Sequence, residues 1–417
     1  MIANSPPRRT ILWKPERFVP DRPVRKVSWL ELFHDLVYAA TIAQVTHALT
    51  HGDPVQHLGT FLLVFTLVIW SWMNGTYYYD LHGNQHLWTR ICTLAQMLPT
   101  VAMAVTVGGV FEGDHVPFAI AFGSMQALIT FLWMTTGWFD RGHLPLSIPH
   151  SGTYAIALAC VVASVFVPFE TALALWCVAI ALDFGVELII FKRFEKNMRQ
   201  KQWTFKPSAS IVERFGLFTM IVLGESVFGI VNGMLAEDLT SFRTWLMLAG
   251  CMLIAFLLWW LYFELLGERR TKPGFRNYVL LNLVHLPAFA AFALVGPCMA
   301  LLITDKGTTC GTVHVLFSIA VAVALGGIVG LSLILAKENE REELARVKSN
   351  RWILLAIILV LLSPWLLHAY GTPAFLLAHI ILLMALVVQG TLSGAYEKLL
   401  EPDEGSGNPT DHTTTLS

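Results

Sequence analysis

From Phe242 to Leu266 the sequence reads FRTWLMLAGCMLIAFLLWWLYFELL, and only Arg243 and Glu264, one near each end, carry charge. At 1.5 Å per residue this run makes a helix about 37 Å long, enough to cross the ~30 Å hydrocarbon core of a bilayer. The rest of the chain has the same character. Of its 417 residues 55% are hydrophobic and 14% charged, against roughly 25% charged in ordinary soluble proteins. Lys and Arg number 28 and Asp and Glu 29, a balance without the strongly basic face of a dedicated nucleic-acid binder.

Working outward from 242–266, apolar runs bounded by charge, Pro or Gly recur at 28–49, 58–79, 89–111, 116–138, 150–168, 170–192, 211–235, 276–304, 312–336, 350–370 and 373–396. With 242–266 they make twelve spans and predict an all-α, polytopic transmembrane helical bundle, with no room for a sizeable soluble domain. The basic residues test the count. Alternating the loops places 26 of the 28 on one face and leaves Arg243 and Lys306 for the other. Both termini are then expected in the cytoplasm. Residues 1–27 read as a basic cytoplasmic tail and 398–417, rich in Gly, Pro, Thr and acid, as a disordered one. The tail's prolines and basic residues do not form a cleavable signal peptide.

Short matches at long offset point to an internal repeat. Glu31-Leu32-Phe33 matches Glu213-Arg214-Phe215, Tyr78-Tyr79-Asp80 matches Tyr262-Phe263-Glu264, Arg90 matches Arg276, and Leu98-Pro99 matches Leu286-Pro287. An offset of six spans keeps one orientation, so residues 28–199 and 200–397 are expected to form two parallel six-span halves.

Acids within a bilayer need a partner, a wet cavity or a proton, and so mark candidate sites. In the first span Glu31 and Asp35 share a helix face, with His34 and Gln44 on adjacent turns. This set can be a polar cluster paired with basic residues of the tail, or a site that binds and releases a cation or proton. Asp183 and Glu187 are again four apart, Glu213 opens the seventh span, and Glu225 lies closest to the midplane. No basic residue lies in the interior of these spans, which leaves His285, His314, His368 and His379 as neutral partners. The expected pathway residues are Glu31, His34, Asp35, Gln44, Asp183, Glu187, Glu213, Glu225 and His285.

The aromatic groups at Trp70, Trp72 and Tyr77 to Tyr79, and at Trp259 to Phe263, read as interfacial belts. Gly229, Gly233, Gly326, Gly327 and Gly330 read as close helix contacts. Six cysteines without a CxxC pair read as buried thiols. The pairs His82/His86 and His47/His51 are too isolated to predict a metal, and no cofactor is expected. Without a phosphate loop, an H-E-x-x-H or a G-x-S-x-G motif, neither an ATP-driven pump of that type nor a hydrolase is indicated.

Val27-Ser28-Trp29-Leu30-Glu31-Leu32-Phe33-His34-Asp35-Leu36-Val37-Tyr38, together with Glu213-Arg214-Phe215-Gly216-Leu217-Phe218 through Leu223-Gly224-Glu225-Ser226, resembles the bacterial low temperature requirement A (LtrA) family. The resemblance extends through the Tyr-rich end of the second span and Trp259 to Phe263. It departs from the usual pattern at His34, where Phe is common, and at Ser210, near a frequent His. It implies a polytopic bacterial membrane protein named for growth in the cold. The first span is also similar, through Glu31, Phe33, Asp35, Val37 and Ile42, to the F-S-D motif of a cation channel family of six plus six spans. The resulting expectation is a transporter or channel for a cation or proton-coupled solute. The alternatives are a non-transporting protein of cold or stress adaptation and an intramembrane enzyme. Its partners are the lipid bilayer and an ion or small solute, with assembly of several copies left open.

Overall fold

The computed structural model describes residues 27–50, 53–82, 87–139, 144–200, 208–267, 271–304, 311–335 and 340–399. Both expected tails lie almost wholly outside the described residues. Twelve α-helices follow one another: α1 Trp29–Thr50, α2 Leu58–His82, α3 Leu87–Phe111, α4 Val116–Phe139, α5 Leu144–Ser164, α6 Phe169–Gln200, α7 Ala209–Leu235, α8 Phe242–Leu266, α9 Phe275–Thr304, α10 Thr312–Ile334, α11 Glu340–Leu366 and α12 Gly371–Leu399. Among the described residues there is no strand beyond an isolated bridge between Thr271 and Leu335. The chain is an integral, multi-pass membrane protein.

Ten of the twelve helices are long and apolar enough to cross a membrane. The other two, α1 and α5, are 22 and 21 residues long. They are diluted by polar residues, such as Glu31, His34 and Asp35 in α1 and His150 in α5, that are buried against protein. A helix that meets its neighbours with a polar face needs fewer apolar residues than one surrounded by lipid.

Helix neighbours follow one pattern twice. In the first six helices α1 packs on α3, α2 on α4, and α3 through α6 pack in sequence; in the second six α7 packs on α9, α8 on α10, and α9 through α12 pack in sequence. The two sets meet where α1 and α2 lie against α7 and α9, with α6 also touching α9. The α2 aromatics sit inside the bundle, Trp72 and Tyr77 against α7 and α9 at this junction and Tyr78 and Tyr79 against Cys92 and Leu132 of α3 and α4. Trp72 is fully buried, and Tyr77, Tyr78 and Tyr79 are at most 5% exposed. This corrects their reading as an interfacial belt: α2 is surrounded by α1, α3, α4, α6, α7 and α9, so its rings face protein. At the end of α8, by contrast, Trp259 is exposed.

Close backbone approach fixes the second set. A Cβ on Gly229 would lie 2.4 Å from the Gly296 carbonyl oxygen, and one on Gly233 2.9 Å from the Ala300 Cα, so α7 and α9 touch through their main chains. A Cβ on Gly327 would lie 2.7 Å from the Ala288 side chain, which brings α10 equally close to α9. Gly326 has open space around it and takes no part.

Candidate functional site

The acids of the first span have a partner the sequence reading did not identify. Arg214, one turn into α7 and 2% exposed, is buried against α1. Its Nη2 donates to Asp35 Oδ1 at 2.6 Å and its Nε to Oδ2 at 3.0 Å, a two-pronged pairing in which the planar guanidinium matches the carboxylate. Arg214 Nη1 lies 3.6 Å from Glu31 Oε1. Glu31 also accepts the backbone N–H and hydroxyl of Ser28 at 2.9 and 2.8 Å, which ties it to the first turn of α1.

Two α2 and α3 side chains complete this cluster. Trp72 donates its indole N–H to Asp35 Oδ1 at 2.6 Å and stacks on Phe218 of α7 at 3.8 Å. His34 accepts from Arg214 Nη2 at Nδ1, 3.3 Å away, which leaves Nε2 as the protonated nitrogen. That Nε2 and the Gln96 carbonyl oxygen are both buried without a hydrogen-bond partner among the described residues. They flank Gly75, where a Cβ would sit 2.7 Å from Gln96 Oε1 and 3.6 Å from His34 Cε1. The missing side chain at Gly75 is what lets α2 admit both groups.

Eleven residues further along both helices, Thr46 of α1 donates to Glu225 Oε1 of α7 at 3.0 Å. Asp35 to Arg214 and Thr46 to Glu225 are each 179 positions apart. An unchanged separation over three helical turns means that α1 and α7 run parallel and in register. Glu225 is half-buried.

The expected residue Gln44 does not join this seam; it is exposed. Nine residues at 100° each put it half a turn round from Asp35, whereas the eleven residues to Thr46 return to the same face. The expected absence of a basic partner is likewise corrected by Arg214. It stands among the basic residues that precede the seventh span, yet the helix already runs from Ala209, which carries its side chain into the bundle.

Asp183 and Glu187 form a separate group. Asp183 is fully buried and accepts from Gln126 Nε2 of α4, at 3.2 Å to each carboxylate oxygen. Glu187 meets His150 Nε2 of α5 at 3.2 Å, and that imidazole stacks on Trp133 at 4.4 Å.

Glu213 and His285 come together elsewhere. Although adjacent to Arg214, Glu213 is turned about 100° away from it and lines a vestibule of about 320 Å³ between α7, α8, α9 and α10, open to the outside. His285 forms the inner wall, donating from Nδ1 to the Leu281 carbonyl at 2.7 Å and accepting at Nε2 from the Tyr262 hydroxyl at 3.1 Å. His314 likewise links helices through Thr372, at 3.0 Å. His379 bonds its own helix at Phe375 O, 2.9 Å away. Among the described residues no group of three or more His, Cys, Asp or Glu is placed to hold a metal ion. His51 and His86 lie outside the described residues.

The family model for the "Bacterial low temperature requirement A protein (LtrA)" matches residues 26–395. Among curated proteins, the chain is similar to the "Uncharacterized protein RA0937" of Rhizobium meliloti (strain 1021), at 23% identity over 294 residues. That alignment covers 63% of this chain and 66% of the relative's length. No solved structure matches the chain.

Proposed function

We propose that this chain, which belongs to the bacterial low temperature requirement A (LtrA) family, is a secondary transporter for a cation or a proton-coupled solute. In this reading all twelve helices span the inner membrane of a bacterial cell, both termini are cytoplasmic, and the two sets of six are parallel repeats. The matching neighbour pattern of α1 to α6 and α7 to α12 supports the repeat, and the distribution of basic residues supports the orientation.

One observation carries the transport reading: the α1 and α7 seam, where the two sets of helices meet, presents carboxylates at two depths with opposite partnerships. Asp35 is neutralised by Arg214 and takes a further hydrogen bond from Trp72. Glu225, three turns on, has a single hydroxyl as its donor. A hydroxyl does not cancel a charge, so Glu225 is the carboxylate on this seam that can exchange Thr46 for a proton or a cation. The Asp35 and Arg214 pair then acts as the latch between the halves, and the vestibule at Glu213 and His285 gives access from the side at which α7 begins.

Ion flux into liposomes holding the purified protein, followed under an imposed gradient at several pH values, tests this. Wild type is expected to dissipate the gradient and Glu225→Gln to be inert at unchanged thermal stability; full flux in Glu225→Gln would sink the assignment. A second reading, a non-transporting membrane component of cold adaptation, is favoured by the capping of Asp35, Asp183, Glu187 and Glu225 by neighbouring side chains. It predicts no flux from folded wild type.

A further inference from the structure

A second cavity lies at the junction of the two helix sets, away from the α1 and α7 seam. It is a narrow cleft between α2, α6 and α9 with room for about 30 Å³, enough for one small head group, and its walls include Trp70, Tyr77, Glu187, Leu188, Asn282 and Leu283. Leu188 is 54% exposed and Leu283 39% exposed, so the mouth lies on the apolar outer surface of the bundle. An occupant arriving there comes from the hydrocarbon and not from water.

The inner wall has a different chemistry. Glu187 has one oxygen engaged by His150, while Oε2 makes no hydrogen bond among the described residues. The hydroxyl of Tyr77, a residue only 5% exposed, is buried without a hydrogen-bond partner among the described residues, and so is Asn282 Oδ1. Buried polar atoms are rarely left unsatisfied, because each forfeits its bonds to water. Three residues of the cleft wall thus each carry an oxygen that can accept, and two of those oxygens are without a partner among the described residues. Among the described residues no basic side chain lines it, and a second acid, Asp183, is buried one turn away on α6.

We infer that this cleft binds a primary ammonium group carried on an apolar chain and admitted sideways from the bilayer. An ammonium has three N–H donors and no acceptor, which matches Glu187, Tyr77 and Asn282. Its single positive charge answers the carboxylate, and the rings of Trp70 and Tyr77 offer π faces to a cation. A bulkier quaternary head has no donors to give. A phosphate or sulfate head would meet a carboxylate with no lysine or arginine beside it among the described residues. The tail lies in the mouth between Leu188 and Leu283. The inference does not depend on transport, since a site of this kind also serves a protein that only senses or stores its ligand.

The test uses the full chain in phosphatidylcholine nanodiscs free of amine-headed lipids, with radiolabelled dodecylamine as the probe and empty nanodiscs subtracted. Saturable binding of one probe per chain is expected, displaced by unlabelled dodecylamine but not by dodecyl sulfate, dodecanol or ethylamine. Glu187→Gln should weaken binding at least about tenfold and Tyr77→Phe about threefold. Leu283→Trp, which blocks the mouth from an exposed position and keeps the carboxylate, should abolish it. This last variant decides the matter if Glu187→Gln does not fold. Binding no greater than in empty nanodiscs, equal competition by dodecyl sulfate or dodecanol, or unchanged binding in Leu283→Trp would overturn the inference. Equal competition by ethylamine would overturn entry from the bilayer.

Discussion

Asp35 and Arg214 are 179 positions apart in the chain and 2.6 Å apart in space, and both are buried. Each would be costly alone in a low-dielectric interior, and together they join the first helix to the seventh. Removing one partner leaves an uncompensated buried charge. Arg214→Met or Asp35→Leu should each cost about 3–5 kcal/mol of unfolding free energy. The double variant Asp35→Leu, Arg214→Met should lose less than either single change. Denaturant unfolding of the four proteins in one detergent measures the cycle, and strict additivity would show that the pair does not couple.

Glycines on a single helix should respond with opposite signs. At Gly229 a methyl group has to push against the main chain of Gly296, so Gly229→Ala should cost about 1–3 kcal/mol. At Gly224 an added Cβ meets nothing within 4 Å, so Gly224→Ala should be neutral or stabilising by up to about 1 kcal/mol. Melting temperatures of the two variants, measured side by side, check the pair. Equal shifts in the same direction would remove the close α7 and α9 contact as an explanation.

Gln126 is the hydrogen-bond donor to Asp183 in the structure. Gln126→Leu should therefore destabilise by about 1–3 kcal/mol, because it strands a buried carboxyl. Asp183→Asn, with Gln126 retained, can still pair amide with amide and should cost under about 1 kcal/mol. Thermal unfolding separates the two, and a milder effect of Gln126→Leu than of Asp183→Asn would contradict this account.

Orientation has a direct readout. Asp238, in the turn between α7 and α8, and Pro273, between α8 and α9, are both exposed. In a cysteine-free background, Asp238→Cys should react with a membrane-impermeant maleimide on intact cells, and Pro273→Cys only after permeabilisation. The reverse pattern would invert the topology.

The helices were legible in the sequence because a bilayer imposes length and apolarity on each crossing. The run 242–266 coincides with α8, and 116–138 falls one residue short of α4. Edges were less legible where the helix outlasts its apolar run. α5 begins at Leu144 and not at 150, α6 continues to Gln200, and α11 starts at Glu340 rather than at 350. Polar residues at these ends obey helical backbone preferences but no longer signal a membrane. The pairing of Arg214 was invisible for a related reason. A basic residue near a span boundary has the same appearance whether it faces water or the bundle, and only the fold reveals its distant partner. Gln44, in contrast, could have been set aside and Thr46 chosen by counting 100° per residue from Asp35.

The main-chain contacts of α7 with Gly296 and Ala300 also set a mechanical constraint. They lie toward the C-terminal end of α7, whereas the vestibule residue Glu213 is near its start. Sixteen residues, about 24 Å of helix, separate Glu213 from Gly229. Were α7 to pivot on the glycine contact, a tilt of about 10° would sweep its far end through roughly 4 Å. Arg214 lies near that end, so such a tilt would move the vestibule wall and the grip on Asp35 together.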